Sequence, residues 1–125
     1  MPVLDTTFLI GLEKRPGTLR HFLEDLNEEG EPILVPVQAA IEFAAGADDP
    51  AQAIRTLQEA FTVVPFGPVL AIEAARLARA SFASGKFPGW PDIQIAATAR
   101  HEGMVVVTRN GRHFETLGIR VRPHP

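Results

Sequence analysis

The sequence predicts an α/β fold in which a short parallel sheet is covered by helices on both faces. Short apolar runs such as residues 33–35 and 104–107 lack apolar–polar alternation, which is typical of strands buried on both faces. Segments with helical spacing separate these runs, and such alternation predicts parallel β–α units. The 125 residues are 46% hydrophobic and 22% charged, an ordinary globular composition. We therefore expect one domain over residues 1–125.

The elements follow from periodicity and from proline and glycine positions. A strand at residues 2–4 ends at Asp5. Leu19, Phe22, Leu23 and Leu26 recur at helical spacing and predict a helix, and Pro36 suits the first turn of another. The predicted helices cover residues 6–13, 17–29, 36–45, 50–61, 68–84 and 92–102, and the predicted strands cover residues 2–4, 33–35, 62–65, 104–107 and 119–121.

Composition excludes several classes of function. The chain has no cysteine, so disulfides, a cysteine nucleophile and thiolate zinc sites are excluded. The formal net charge is −3, from 12 Lys+Arg and 15 Asp+Glu, which excludes a strongly basic nucleic-acid-binding protein but not a nuclease with an acidic site. No apolar run reaches the ~18 residues of a membrane helix, and no basic leader opens the sequence. We expect a cytoplasmic protein without a membrane segment.

Four oxygen-bearing residues predict the chemistry: Asp5, Glu42, Asp92 and Asn110. Asp5 and Asn110 follow strands, and ligands of parallel sheets bind beyond the carboxyl ends of the strands. Glu42 is the one carboxylate in the apolar helix VQAAIEFAAGA, where a buried acid needs a partner, a proton or a metal. Clustered carboxylates suit a hard cation, Mg²⁺ or Mn²⁺.

Each of these residues also has a structural interpretation. Asp5 and Asp92 can cap the helices that they precede. Asn110 and Gly111 together can form a turn. These alternatives stay open at the level of single residues.

Four motifs in order resemble those of PIN-domain ribonucleases, specifically VapC-type toxins of toxin–antitoxin pairs. They are VLDTTFLIGL, VPVQAAIEFAAG, PDIQIAATARHEG and VVVTRNGRHF, which together span nearly the whole chain. The resemblance implies a three-layer α/β/α PIN-like fold and a magnesium site for RNA hydrolysis. In that site Asp5 and Asp92 are direct ligands, Glu42 is a further ligand or positions water, and Thr7 orients a metal-bound water. Relatives often carry an aspartate at the position of Asn110 or His113, and this chain does not.

The charge pattern and the family resemblance predict the binding partners of the chain. Arg109 and Arg112 flank Asn110 and are candidates to hold RNA phosphates, although solvated loop charges would have the same pattern. The resemblance implies a homodimer and an antitoxin whose tail covers the acidic site. We expect the apolar helices over residues 17–29 and 50–61 to leave an exposed patch.

The leading hypothesis is a metal-dependent endoribonuclease toxin. The first alternative is a PIN-like module with a depleted metal site, which binds RNA or protein without cleavage. A second is a phosphate-accepting regulator built on Asp5, which the absence of a suitable lysine disfavours. Trp90 allows base stacking, but packing is the simpler interpretation, and the four histidines show no metal-ligand spacing.

Overall fold

A computed structural model describes residues 1–109 and 111–125. Asn110 lies outside the described residues, and with it the predicted turn at Asn110–Gly111. The strands are β1 (Pro2–Leu4), β2 (Leu34–Pro36), β3 (Thr62–Val64), β4 (Val105–Val107) and β5 (Val121–Arg122). The helices are α1 (Thr6–Lys14), α2 (Pro16–Glu28), α3 (Val37–Ala45), α4 (Pro50–Ala60), α5 (Pro68–Ser84), α6 (Trp90–Glu102) and α7 (Gly111–Glu115).

The described strands form one parallel sheet in the order β3-β2-β1-β4-β5. The chain moves outward from β1 to β3 and then crosses back to β4. Because β–α–β crossovers are right-handed, the helices before and after this reversal cover opposite faces of the sheet. The predicted three-layer α/β/α architecture is confirmed.

The reversal of strand order fixes where a ligand can bind. β1 and β4 are neighbours, with Leu4 in register with Val107, and the chain leaves them in opposite directions. A crevice opens at such a switch point, beyond the carboxyl ends of the two strands. Asp5 follows β1 there, and Thr108 and Arg109 follow β4.

The core explains the continuous apolar strands. β1 is wholly buried, and so are Val106 and Val107 of β4, whereas the edge strands β3 and β5 are partly exposed. α6 packs on the sheet through Ile93, Ile95 and a run of alanines that are at most 2% exposed. Small side chains let this helix approach the strands closely, which holds its first turn at the carboxyl edge.

The prediction of an exposed apolar patch on α2 and α4 is wrong. Leu19 and Leu26 of α2 and Leu57 of α4 turn inward and are at most 4% exposed. Within residues 1–109 and 111–125, the exposed large apolar side chains of helices lie elsewhere: on α1 (Ile10), α3 (Ile41), α5 (Val69, Ile72, Phe82) and α6 (Trp90). The amphipathic stripes of α2 and α4 are therefore accounted for by the core.

Two helices differ from the sequence prediction in ways that affect the site. α6 begins at Trp90, two residues before the predicted start, with Gly89 as N-cap at φ 104. Asp92 is thus in the first turn, and the interpretation of Asp92 as the cap is wrong, because Pro91 already suits that first turn. The helix α7 was not predicted, and it carries Arg112 and His113.

Candidate active site

Asp5 is buried at the carboxyl end of β1. It is 4% exposed and caps α1, with its Oδ1 accepting from the Phe8 backbone N–H at 3.0 Å and from the Thr7 hydroxyl at 2.8 Å. Its own N–H donates to the Val107 carbonyl at 3.4 Å. The capping interpretation of Asp5 is therefore confirmed, and the same bonds fix the carboxylate beside β4.

Glu42 reaches the same edge from α3. It is half-buried, and its Oε1 accepts a hydrogen bond from the Thr6 hydroxyl at 3.3 Å. Since Thr6 follows Asp5 directly, this bond places the two carboxylates on neighbouring positions of one edge. The partner that the sequence required for a carboxylate in an apolar helix is thus a hydroxyl group.

Asp92 is engaged with a histidine. Its Oδ2 lies 2.8 Å from Nδ1 of His113, and the two side chains are 29% and 53% exposed. His113 comes from α7, immediately beyond β4. Sequence reasoning gave His113 no role, because the two residues are 21 positions apart and only the unpredicted helix α7 brings them together.

The acids supply oxygen donors of the type that Mg²⁺ and Mn²⁺ prefer. Asp5 and Glu42 meet through Thr6, whereas Asp92 contacts His113. Outside position 110, no three acidic or histidine side chains stand together in an arrangement that could hold a metal ion. The donor chemistry fits a hard cation, and ligation by Asp5, Glu42 and Asp92 stays a prediction. The fourth predicted site residue, Asn110, lies outside the described residues.

The predicted phosphate-binding residues line two different depressions. Arg109 and Thr7 line one of about 580 Å³, together with Ile10, Gly11, Lys14 and Arg15. Arg112 lines another of about 330 Å³, together with Lys86, Phe87, Pro88, His113 and Thr116. The structure thus separates the two arginines, one beside the end of α1 and the other beside the Asp92–His113 pair.

His124 is a buried histidine next to this edge. It is 7% exposed, its ring packs edge-on against Phe8 at 4.9 Å between centroids, and its Nε2 has no hydrogen-bond partner in the described part of the chain. Burial lowers the pKa of His124, and Arg109 and Arg15 lower it further, while the Pro125 carbonyl and Asp5 act against this shift. Burial thus disfavours the charged form of the imidazole.

The fold and the acids at the carboxyl edge of the sheet define a class of protein: α/β domains with carboxylates at the switch point of a parallel sheet. The sequence model of the PIN domain matches residues 3–119. The chain belongs to the PIN domain family, as its motifs predicted.

Comparisons with individual proteins agree with this assignment. The chain is 29% identical over 121 residues to ribonuclease VapC2 of Haemophilus influenzae, covering 92% of this chain and 90% of that protein. It is 27% identical to a chain of the DNA-bound VapBC structure from Salmonella typhimurium, covering 98% and 96% of the two chains with a TM-score of 0.74. A chain of VapBC2 from Rickettsia felis, bound to a promoter DNA fragment, shares the fold, with 18% identity, 99% and 98% coverage and a TM-score of 0.83.

Proposed function

We propose that the chain is a single PIN domain acting as a divalent-metal-dependent endoribonuclease, the toxin of a toxin–antitoxin pair. The observation that carries this proposal is the position of three acids at the carboxyl edge of a PIN-domain sheet: Asp5 caps α1, Glu42 bonds to the adjacent Thr6, and Asp92 lies in the first turn of α6. A relative similar over nine-tenths of the chain is named a ribonuclease, and a function on cellular RNA supports a cytoplasmic location. No described helix is long and apolar enough to cross a bilayer.

In this proposal Asp5, Glu42 and Asp92 hold Mg²⁺ or Mn²⁺. The bound cation would lower the pKa of a water and neutralise charge on the phosphate. Asp5 is oriented by Phe8 and by the hydroxyl of Thr7, so its carboxylate is fixed before any ligand arrives. In this proposal Arg109, two residues before α7, and Arg112, within α7, hold RNA phosphates, and both side chains are exposed.

The test is RNA cleavage by the purified protein in millimolar Mg²⁺ or in EDTA, because a weak site is filled only when the free metal concentration is well above its Kd. We expect Glu42→Gln to lower kcat/KM by at least about 10- to 100-fold, the loss typical when support of a metal site is removed. The control is Glu59→Gln, an exposed acid at the opposite end of the sheet, near Phe61 and Thr62. Equal loss in both variants, or cleavage that persists in EDTA, would contradict the proposal.

One observation favours the alternative of a PIN-like binding module without cleavage. The Asp92 carboxylate is paired with His113 at 2.8 Å, so a cation would have to compete with this contact. If RNA binds but Mg²⁺ and Mn²⁺ neither raise the melting temperature nor permit cleavage, the alternative function is the correct one.

For the antitoxin, we propose that its tail occupies the depression of about 580 Å³ beside Asp5. The depression combines the exposed apolar Ile10 with Lys14, Arg15 and Arg109, so it suits a segment with apolar and acidic side chains. Ile10→Asp should weaken the complex with the product of a neighbouring antitoxin gene in a calorimetric titration. Unchanged affinity would place the antitoxin elsewhere.

For assembly, we propose a homodimer in which exposed apolar residues of α3 and α5 take part. Ile41, Val69 and Ile72 are 53%, 61% and 54% exposed, and covering them with a second copy of the chain would remove this apolar surface from water. Light scattering should give twice the mass of one chain, and Ile72→Glu should give a monomer. A monomer for the wild type at tens of micromolar would remove this proposal.

A further inference from the structure

Three aromatic side chains form a surface cluster at the end of α5 and the start of α6. The ring centroids of Phe82 and Phe87 are 4.7 Å apart, those of Phe87 and Trp90 5.1 Å, and those of Phe82 and Trp90 6.1 Å. Phe82 and Trp90 are nevertheless 56% and 54% exposed. The rings thus hold one another in place while much of their surface faces solvent.

The cluster adjoins the candidate active site. Phe87 also lines the depression of about 330 Å³ that His113 lines, and His113 contacts Asp92 at 2.8 Å. Trp90 begins α6, two residues before Asp92. A continuous path therefore leads from the aromatic rings through the depression to the acidic edge.

Two cations border the same depression. Lys86 and Arg112 are exposed and line it together with Phe87, and neither forms a salt bridge with any carboxylate of residues 1–109 or 111–125. Exposed aromatic faces beside unpaired cations are what surfaces that bind single-stranded nucleic acid present, because bases stack on the rings and phosphates meet the charges. An apolar protein partner would leave both charges without a counter-ion.

We propose that Phe82, Phe87 and Trp90 form a stacking surface for unpaired RNA bases, with Lys86 and Arg112 holding the adjoining phosphates. This inference rests on the proposed ribonuclease function and deepens it, since it locates a contact surface for unpaired bases beside the candidate active site. Bases in a duplex are stacked on each other and cannot reach the rings. The surface therefore selects for strandedness rather than for sequence.

The chain contains one tryptophan and no tyrosine, so its intrinsic fluorescence reports on Trp90. The full-length protein is titrated in EDTA with a single-stranded RNA of mixed sequence, and in parallel with the same strand annealed to its complement. We expect the single strand to quench Trp90 and the duplex to leave it nearly unchanged. Equal quenching by both forms would mean phosphate attraction alone, and would overturn the stacking surface.

Affinity is measured separately, by anisotropy of the labelled single strand. Trp90→Leu and Phe82→Leu should each raise Kd roughly tenfold, within the range expected for loss of one base–aromatic stack. The control is Phe61→Leu, the same change at a half-buried aromatic beside the amino end of β3, which should leave Kd unchanged. Melting curves exclude unfolding as the cause.

The outcomes separate this inference from the proposed function. Cleavage with no effect of Trp90→Leu or Phe82→Leu on Kd would overturn the stacking surface and leave the ribonuclease proposal standing. Quenching and weakened binding in a protein that never cleaves RNA would support the surface and contradict the ribonuclease. Quenching by a purified partner protein but not by RNA would assign the cluster to protein docking and overturn the inference.

Discussion

Substitution of Asp5 separates two roles that one carboxylate combines. Its Oδ1 accepts two hydrogen bonds, from the Phe8 N–H and the Thr7 hydroxyl, and these require an oxygen but not a charge. The proposed cation requires the charge. Asp5→Asn keeps an acceptor oxygen at a position where asparagine caps as well as aspartate, whereas Asp5→Ala removes both the cap and the charge.

The magnitudes follow from the burial of this cap. Loss of an N-cap costs about 1 kcal/mol, with a range of about 0.5–2, and Phe8, whose N–H then lacks its acceptor, is fully buried, so we expect the upper half of that range. At about 2.1 cal/mol/K per residue, a chain of 125 residues melts roughly 4–8 °C lower for a loss of about 1–2 kcal/mol. Asp5→Asn should melt within about 2 °C of the wild type in EDTA, since the cap is kept.

The assay is thermal unfolding in EDTA and in millimolar Mg²⁺, followed by RNA cleavage. Mg²⁺ should raise the melting temperature of the wild type, because a ligand that binds only the folded state stabilises it, and should not raise that of either variant. Both variants should lose cleavage. Asp5→Asn with full metal stabilisation would refute the role as ligand, and Asp5→Ala as stable as Asp5→Asn would refute the energetic account of the cap.

Three further predictions concern the histidines and position 110. His113→Ala removes the contact with the Asp92 carboxylate. Titrations of cleavage against Mg²⁺ should then show half-maximal activity at about two- to fivefold less metal, the range for a partly exposed side-chain contact. An unchanged midpoint would mean that the contact does not compete with the cation. Burial lowers the pKa of His124 below its ordinary value of 6.5, so the unfolded chain binds a proton at this histidine more readily than the folded chain. The contribution of His124 to folding stability is therefore complete above pH 6.5 and is lost as the pH falls toward the folded-state pKa. Between pH 7.5 and 5.5 the melting temperature of His124→Phe should therefore fall less than that of the wild type. Equal falls in the melting temperatures of the two proteins would contradict this. Asn110→Asp adds a charged ligand candidate and should lower the Mg²⁺ concentration for half-maximal cleavage, whereas overlapping titrations would place position 110 out of reach of the metal.

The fold was predictable because its signals are local and repeated. Apolar runs without alternation at residues 33–35 and 104–107 identified buried strands, and those strands lie within one or two residues of the predicted bounds. Boundaries shifted where proline was involved: Pro36 ends β2 instead of beginning α3, and α6 begins before Pro91. Proline fits both the first turn of a helix and the segment before it, so sequence alone leaves the boundary open.

The site was only partly predictable. Asp5 was identified because it directly follows a strand, and Glu42 because it is the one carboxylate in an apolar helix. His113 was missed because α7 has five residues, too few to show helical periodicity, and it begins at a glycine. The exposed aromatic cluster was also not predicted. Phe82 fits the apolar face of α5 by its spacing, and only the structure shows that its side chain lies outside the core.

The register of β1 with β4 determines when the acidic edge can exist during synthesis. Asp5 is anchored to Val107, so its partner strand is made only after most of the chain. At about 5–20 residues per second, the roughly hundred residues between them take about 5–20 s to translate. His124, which packs on Phe8 in the helix that Asp5 caps, arrives later still. The acidic edge therefore cannot assemble on the ribosome until β4 has been made, although Asp5 and Glu42 are translated long before.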